Sequence, residues 1–162
     1  MIGLNLCPFA EMPYRSNRVC FVVSEQRSAA GLLADLRSEL LTLACADPIN
    51  RETTLLIHPW VLADFTEYND FLGICDSVVA EMNLEGELQV ASFHPQYQFA
   101  QSQPDDIENY TNRSPYPMLH LLREASVERA IEAVGDTEEI YRRNIRTLRA
   151  LGHAGWQRLW RD

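Results

Sequence analysis

Two short stretches of this chain end alike: "LLIHP" closes on His58-Pro59 and "ASFHP" on His94-Pro95. Imidazole titrates nearest neutral pH, and either of its nitrogens can take a proton, give one or bind a metal. The proline that follows stops a strand, because it has no N–H to donate to a ladder. Imidazoles at the ends of adjacent strands, about 4.8 Å apart, would share a proton, a metal or a substrate oxygen. One intervening strand would roughly double that gap and still leave both within reach of one ligand. The plainer reading is that each His closes its strand end on a nearby carbonyl. Its repetition at equivalent positions sets the two readings level.

A second constellation lies in "NYTNRSPYP", residues 109–117. Ser114 can cap a helix with Pro115 at its first position, and free N–H groups there attract anions. Arg113 stands beside that end, with Asn109, Asn112 and Tyr110 to supply converging hydrogen bonds. Phosphate or carboxylate would suit such a place; the alternative is an ordinary cap, with Arg113 paired to one of many acids. Further along, His120 and Glu124 are four apart, which puts them on one face of a predicted helix with Arg123 beside them. A carboxylate can fix an imidazole's tautomer, although such pairs usually sit on a solvated face.

Cys7, in "GLNLCPFA", becomes a nucleophile or ligand only where neighbours favour its thiolate, and the two imidazoles would do so if they met it. A buried structural thiol is the simpler reading. Cys7, His58, His94 and His120 are the candidate ligands for a divalent metal such as zinc, but their spacing follows no short ligand motif. The other cysteines, Cys20, Cys45 and Cys75, form no CxxC and sit in apolar stretches as buried thiols.

The elements that would position these residues alternate. "RVCFVVS", residues 18–24, has the near-continuous apolar character of a strand buried on both faces. A helix follows, with Leu32, Leu33, Leu36, Leu40 and Leu43 at helical spacing, Ser28 as its cap and Pro48 beyond its end. "TTLLIHP" is the second strand. A second helix, with Phe71, Ile74, Cys75, Val78 and Met82 on one face, leads to the third strand, "ELQVASFHP". The spacing predicts a βαβαβ unit with parallel strands and right-handed crossovers. Ser24, His58 and His94 would then share the C-terminal edge, where open parallel sheets bind ligands. Residues 96–114 are too long for an ordinary connection, and Tyr97, Phe99, Ile107 and Tyr110 favour an ordered functional loop. Two helices are expected after it, one opening at "SPYP" with Leu119 and Leu122 inward. The other runs from about Asp136, with Glu139 in capping-box spacing, to Leu151, and Gly152 ends it.

Length and composition fit one α/β domain over residues 1–162. The net charge of −9, from 23 acidic and 14 basic residues, opposes a nucleic-acid partner. Runs such as "VCFVV" are far short of the roughly 20 residues of a membrane span, so no membrane is expected and a cytoplasmic location is. Neither a phosphate-binding glycine loop nor a nucleophile motif is present.

The stretches "GLNLCPFA", "TTLLIHP", "ASFHPQYQFA", "NYTNRSPYPMLHLLREASVERA" and "LGHAGW" resemble an uncharacterised bacterial and plastid family, domain of unknown function 1415, over nearly the whole chain. The resemblance implies no particular reaction. It does imply a helical segment ahead of "IGLNLCPFA", where this chain begins at Met1-Ile2, and it includes Cys7, His58, His94, Asn109, Asn112, Arg113, Ser114, His120, Arg123 and Glu124 among its motif positions. The leading expectation is a small enzyme, a hydrolase or group transferase, acting on an anionic small molecule. His58 and His94 would be acid-base groups or metal ligands, Arg113 and Arg123 would hold the anion, Asn109 and Asn112 would orient it, and His120 with Glu124 would support. The alternatives are a metabolite-binding or regulatory module and a metal-binding protein.

Overall fold

Three apolar runs lie parallel in one sheet, as their crossover lengths require, in a computed structural model that describes residues 3–4, 6–7, 10–134 and 137–159. After a short helix α1 (Glu11–Arg15) come β1 (Val19–Val23), α2 (Ala29–Cys45), β2 (Thr53–Ile57), α3 (Phe65–Glu81) and β3 (Leu88–Phe93). Ser28 caps α2 by accepting from the Gly31 N–H at 3.2 Å, and Asp64 caps α3 by accepting from Thr66 and Glu67. Leu32, Leu36, Leu40 and Leu43 are wholly buried against one face of the sheet, together with Phe71, Cys75 and Val78 of α3. On α3 the expected inward face is rotated: Ile74 is exposed and Tyr68 and Val79 are buried instead.

The expected helix over "SPYPMLHLL" is a strand. β4 (Met118–Arg123) runs antiparallel between β2 and β3, giving the order β1-β2-β4-β3, and α4 (Glu124–Val134) starts only where β4 ends. Leu119 and Leu122 are three apart and satisfy a helical pattern, but "MLHLLR" also alternates. The vacant slot between two parallel strands decides the matter: β4 completes the ladders of both neighbours at once, Leu55 and Ala91 both facing His120 in register. Leu119 and Leu121 point into the α2/α3 core, and Met118, His120 and Leu122 take the opposite face.

β1 lies at the edge of the sheet with Phe21 and Val23 exposed, so it is not the strand buried on both faces that its apolar run suggests. Helix α5 (Thr137–Arg158) passes through a non-helical Gly152 at φ 61°, so glycine interrupts the helix there but it resumes. The proposed cap at Asp136 lies outside the described residues. Leu148 and Trp156 of α5 meet Leu6 and Ile107 in a second, smaller core, which draws the tail back onto the long loop. No helix among the described residues is long and apolar enough to cross a membrane.

Candidate functional site

The C-terminal edge is level from strand to strand. The Ser24 N–H donates to the Ile57 carbonyl at 2.8 Å, the His58 N–H to Pro117 at 3.0 Å and the His94 N–H to Asn112 at 3.2 Å. Ser24, His58 and His94 therefore share one edge, as the crossover argument requires, with β4 separating the two histidines by about 10 Å of backbone. Their rings still converge, because Tyr68 of α3 stands between them at 5.8 Å from His58 and 4.9 Å from His94. The Tyr68 hydroxyl is fully used: it donates to Met118 O at 2.9 Å and accepts from the Phe93 N–H at 3.1 Å.

Hydrogen bonds set both tautomers. A carbonyl only accepts, so His58 donates from Nδ1 to Val61 O at 3.0 Å and its Nε2 is left as an acceptor. His94 donates from Nε2 to Leu62 O at 3.2 Å, and its Nδ1 accepts from the Gln96 N–H at 3.0 Å. Both rings thus grip the turn after Pro59, where Leu62 is held at a positive φ of 57°. Both are completely buried, and burial lowers each imidazole below its ordinary 6.5, most strongly opposed by the bonds to Val61 and Leu62. The His94 lone pair is occupied. His58 Nε2 is buried without a partner among the described residues, so it is the one ring nitrogen of this pair able to accept a proton with no bond broken. Ser24 is committed elsewhere, donating from Oγ to Asp35 at 2.6 Å.

The loop over residues 96–114 is ordered from within. Asn109 is wholly buried, accepting at Oδ1 from Phe99 N and Ser102 Oγ and donating from Nδ2 to Gln103 O. Asn112 donates from Nδ2 to Ser92 O at 3.1 Å and so ties the loop to β3. Arg113 reaches back over the loop, from Nε to Tyr97 O at 3.2 Å and from Nη2 to Pro104 O at 2.6 Å, with its guanidinium 4.2 Å above the Tyr110 ring. Of these three, Asn112 reaches the sheet at β3, whereas Asn109 and Arg113 hold the loop to itself. No helix starts at Ser114; its Oγ donates to Tyr116 O, so the expected helix-end anion site is absent.

Two clefts border the long loop; Tyr110 lines one of them, and its ring stands edge-on at 5.3 Å both to Trp156 of that cleft and to His153 of the other. The smaller, about 360 Å³, is lined by Pro95, Tyr110, Arg113, Ser114, Pro115 and Trp156. The larger, about 620 Å³, lies between the loop and α5 beside Asp105, Asp106, Glu108, Arg149 and His153. Arg149 is paired with Glu108, and His153 donates from Nε2 to Asp105 O.

His120, Arg123 and Glu124 do not join this edge. The expected pairing of His120 with Glu124 needs a helix, and the strand puts His120 on the other face of the sheet, three residues or about 10 Å along β4 from Pro117. Thr53 Oγ1 has one hydrogen and donates it to Leu121 O, so the His120 Nε2–H donates to Thr53 at 2.7 Å. Burial alone lowers that imidazole to about 4. Arg123 closes the C-terminus of α2, donating from Nη2 to Leu43 O at 2.6 Å and Ala46 O at 2.7 Å, where a cation suits the helix dipole. Glu124 N bonds Glu87 O ahead of β3, at the sheet's opposite edge.

Cys7 is half-buried next to Leu6 of the second core, and no hydrogen bond among the described residues joins it to either imidazole. Cys75 is buried, which pushes its thiol up to about 12, whereas Cys45 is exposed, contrary to its apolar surroundings in sequence. No three His, Cys, Asp or Glu side chains among the described residues are grouped to hold a metal ion. Tyr68 and Trp156 were not singled out by spacing. Tyr68 sits in the first turn of α3, and Trp156 in the apolar tail "GHAGWQRLW", whose composition signals packing on the body and no particular partner.

Comparison with curated proteins and with solved structures finds no match. The family described as "Protein of unknown function (DUF1415)" matches residues 1–158, the stretch that carries the His-Pro edge, the ordered loop and the Arg113 cleft, and the chain belongs to that family.

Proposed function

We propose that this protein binds a small anionic molecule in the cleft between Arg113 and Trp156, at the C-terminal edge of the sheet. One observation carries the reading. In a chain with 23 acidic residues, Arg113 pairs with no carboxylate among the described residues; it bonds two neutral carbonyls, rests on Tyr110 and lines a cleft. Two of its five N–H groups are engaged in that way, and the rest meet no partner among the described residues. A carboxylate or phosphate oxygen entering the cleft would meet a charged donor already held in place, so little ordering entropy opposes binding.

Catalysis, as a hydrolase or group transferase, is the second reading, and His58 Nε2 favours it. That buried lone pair lies at the same edge, ready to take a proton from a substrate that opens the turn over residues 59–64. Calorimetric titration with small carboxylates and inorganic phosphate tests the binding reading. Arg113→Met should lose at least one anion that the native chain binds; equal affinity in both refutes it. Turnover of a bound anion that vanishes in a folded His58→Gln variant would establish the enzyme.

A further inference from the structure

We infer that the anion held at Arg113 bears a single charge on a planar, apolar body, as an aromatic carboxylic acid does. The inference rests on the binding proposed above and specifies the ligand class. The cleft's walls are the rings of Pro95, Pro115, Tyr110 and Trp156. The two proline rings and the Trp156 indole give this slot its stiff apolar surface, while the Tyr110 ring is covered by Arg113 at 4.2 Å and positions that charge. The slot's one charged group among the described residues is Arg113; the other polar side-chain groups are the Tyr110 hydroxyl, the Trp156 indole N–H and the Ser114 hydroxyl, whose hydrogen already goes to Tyr116 O. A sugar or other polyhydroxylated body carries more hydroxyls than these few groups can serve.

The charge count is limited by what lies around Tyr110. Among the described residues Arg113 is the one cation lining the smaller cleft, and one guanidinium matches one carboxylate in its fork geometry. The other cleft, whose His153 meets the Tyr110 ring edge-on, is lined by Asp105, Asp106 and Glu108, and among the described residues Glu108 alone of these is paired with a lining arginine. A second negative charge on the ligand would face those carboxylates within a chain of net charge −9. Phosphate esters and dicarboxylates are disfavoured by the same field that leaves a monoanion bound.

Titration of the full chain at low salt with benzoate, acetate, phthalate and inorganic phosphate tests this. Benzoate should bind about tenfold or more tightly than acetate, because its ring removes apolar surface from water in the slot. It should also bind more tightly than phthalate or phosphate, and Asp105→Asn should narrow the benzoate-phthalate gap. Equal affinity for acetate and benzoate, or preference for phthalate or phosphate, overturns the inference while leaving an anion site at Arg113. Failure of all four to bind, with Arg113→Met unchanged, overturns the anion site itself. Trp156→Leu should shrink the benzoate-acetate contrast, and the contrast in the native chain stands as the test even where that variant fails to fold.

Discussion

Replacing His120 by Gln should flatten the acid limb of this protein's stability curve. His120 is half-buried in the middle of β4, and the loss of solvent around its ring lowers its imidazole from 6.5 to about 4. A folded-state value below the unfolded one means that the unfolded chain binds more protons, so stability is intact above pH 6.5 and falls as pH drops towards 4. At pH 5 the unfolded imidazole is almost fully protonated and the folded one almost neutral. The differential proton binding then costs about 2 kcal/mol relative to pH 8, worth roughly 4 to 8 °C in Tm for a chain of this size. His58 and His94 are lowered in the same direction and steepen the same limb. Urea unfolding at pH 8 and pH 5, followed by tryptophan fluorescence, measures the loss. Gln can keep a donor towards Thr53, so the variant should retain its pH 8 stability more closely than its pH 5 behaviour. It should lose about 2 kcal/mol less than the native chain between the two pH values. An identical loss in both would refute the argument that burial holds His120 neutral.

Tyr68→Phe should destabilise by about 2 kcal/mol, because it strands the Phe93 N–H and the Met118 carbonyl beneath the His-Pro edge, and a shift in urea midpoint checks it. Arg123→Met removes the donors that close α2 and should cost about 2 to 3 kcal/mol while leaving anion affinity unchanged; weakened benzoate binding in a folded variant would contradict its placement at the far edge. Zinc added to purified protein should leave Tm where it was, since no metal-binding group forms among the described residues, and a stoichiometric metal by elemental analysis would count against that.

The βαβαβ frame was legible because its signals are local. Ser28 caps its helix, four leucines mark one helical face and the prolines after His58 and His94 end their strands, so the common edge of Ser24, His58 and His94 followed from crossover geometry alone. The anchors Tyr97, Phe99, Ile107 and Tyr110 likewise marked residues 96–114 as an ordered loop. What failed was "MLHLLR". Six residues with leucines on both faces fit a helix or a doubly buried strand, and nothing local separates the two. The unpaired ladders of β2 and β3 decided for the strand, since a segment inserted there satisfies donors and acceptors on both sides. That one non-local choice carried His120, Arg123 and Glu124 away from the proposed edge and removed the helix cap at Ser114. Folding of the tail past Gly152 then placed Trp156 opposite Arg113, more than forty residues away in sequence, and made a cleft from parts that no spacing connects. Helix and strand periods, the His-Pro edge and the candidate residues are local properties that the chain carries in its residues; which of them share a cavity was settled by tertiary pairing, because hydrogen-bond completion across a sheet is a property of neighbours and not of a segment.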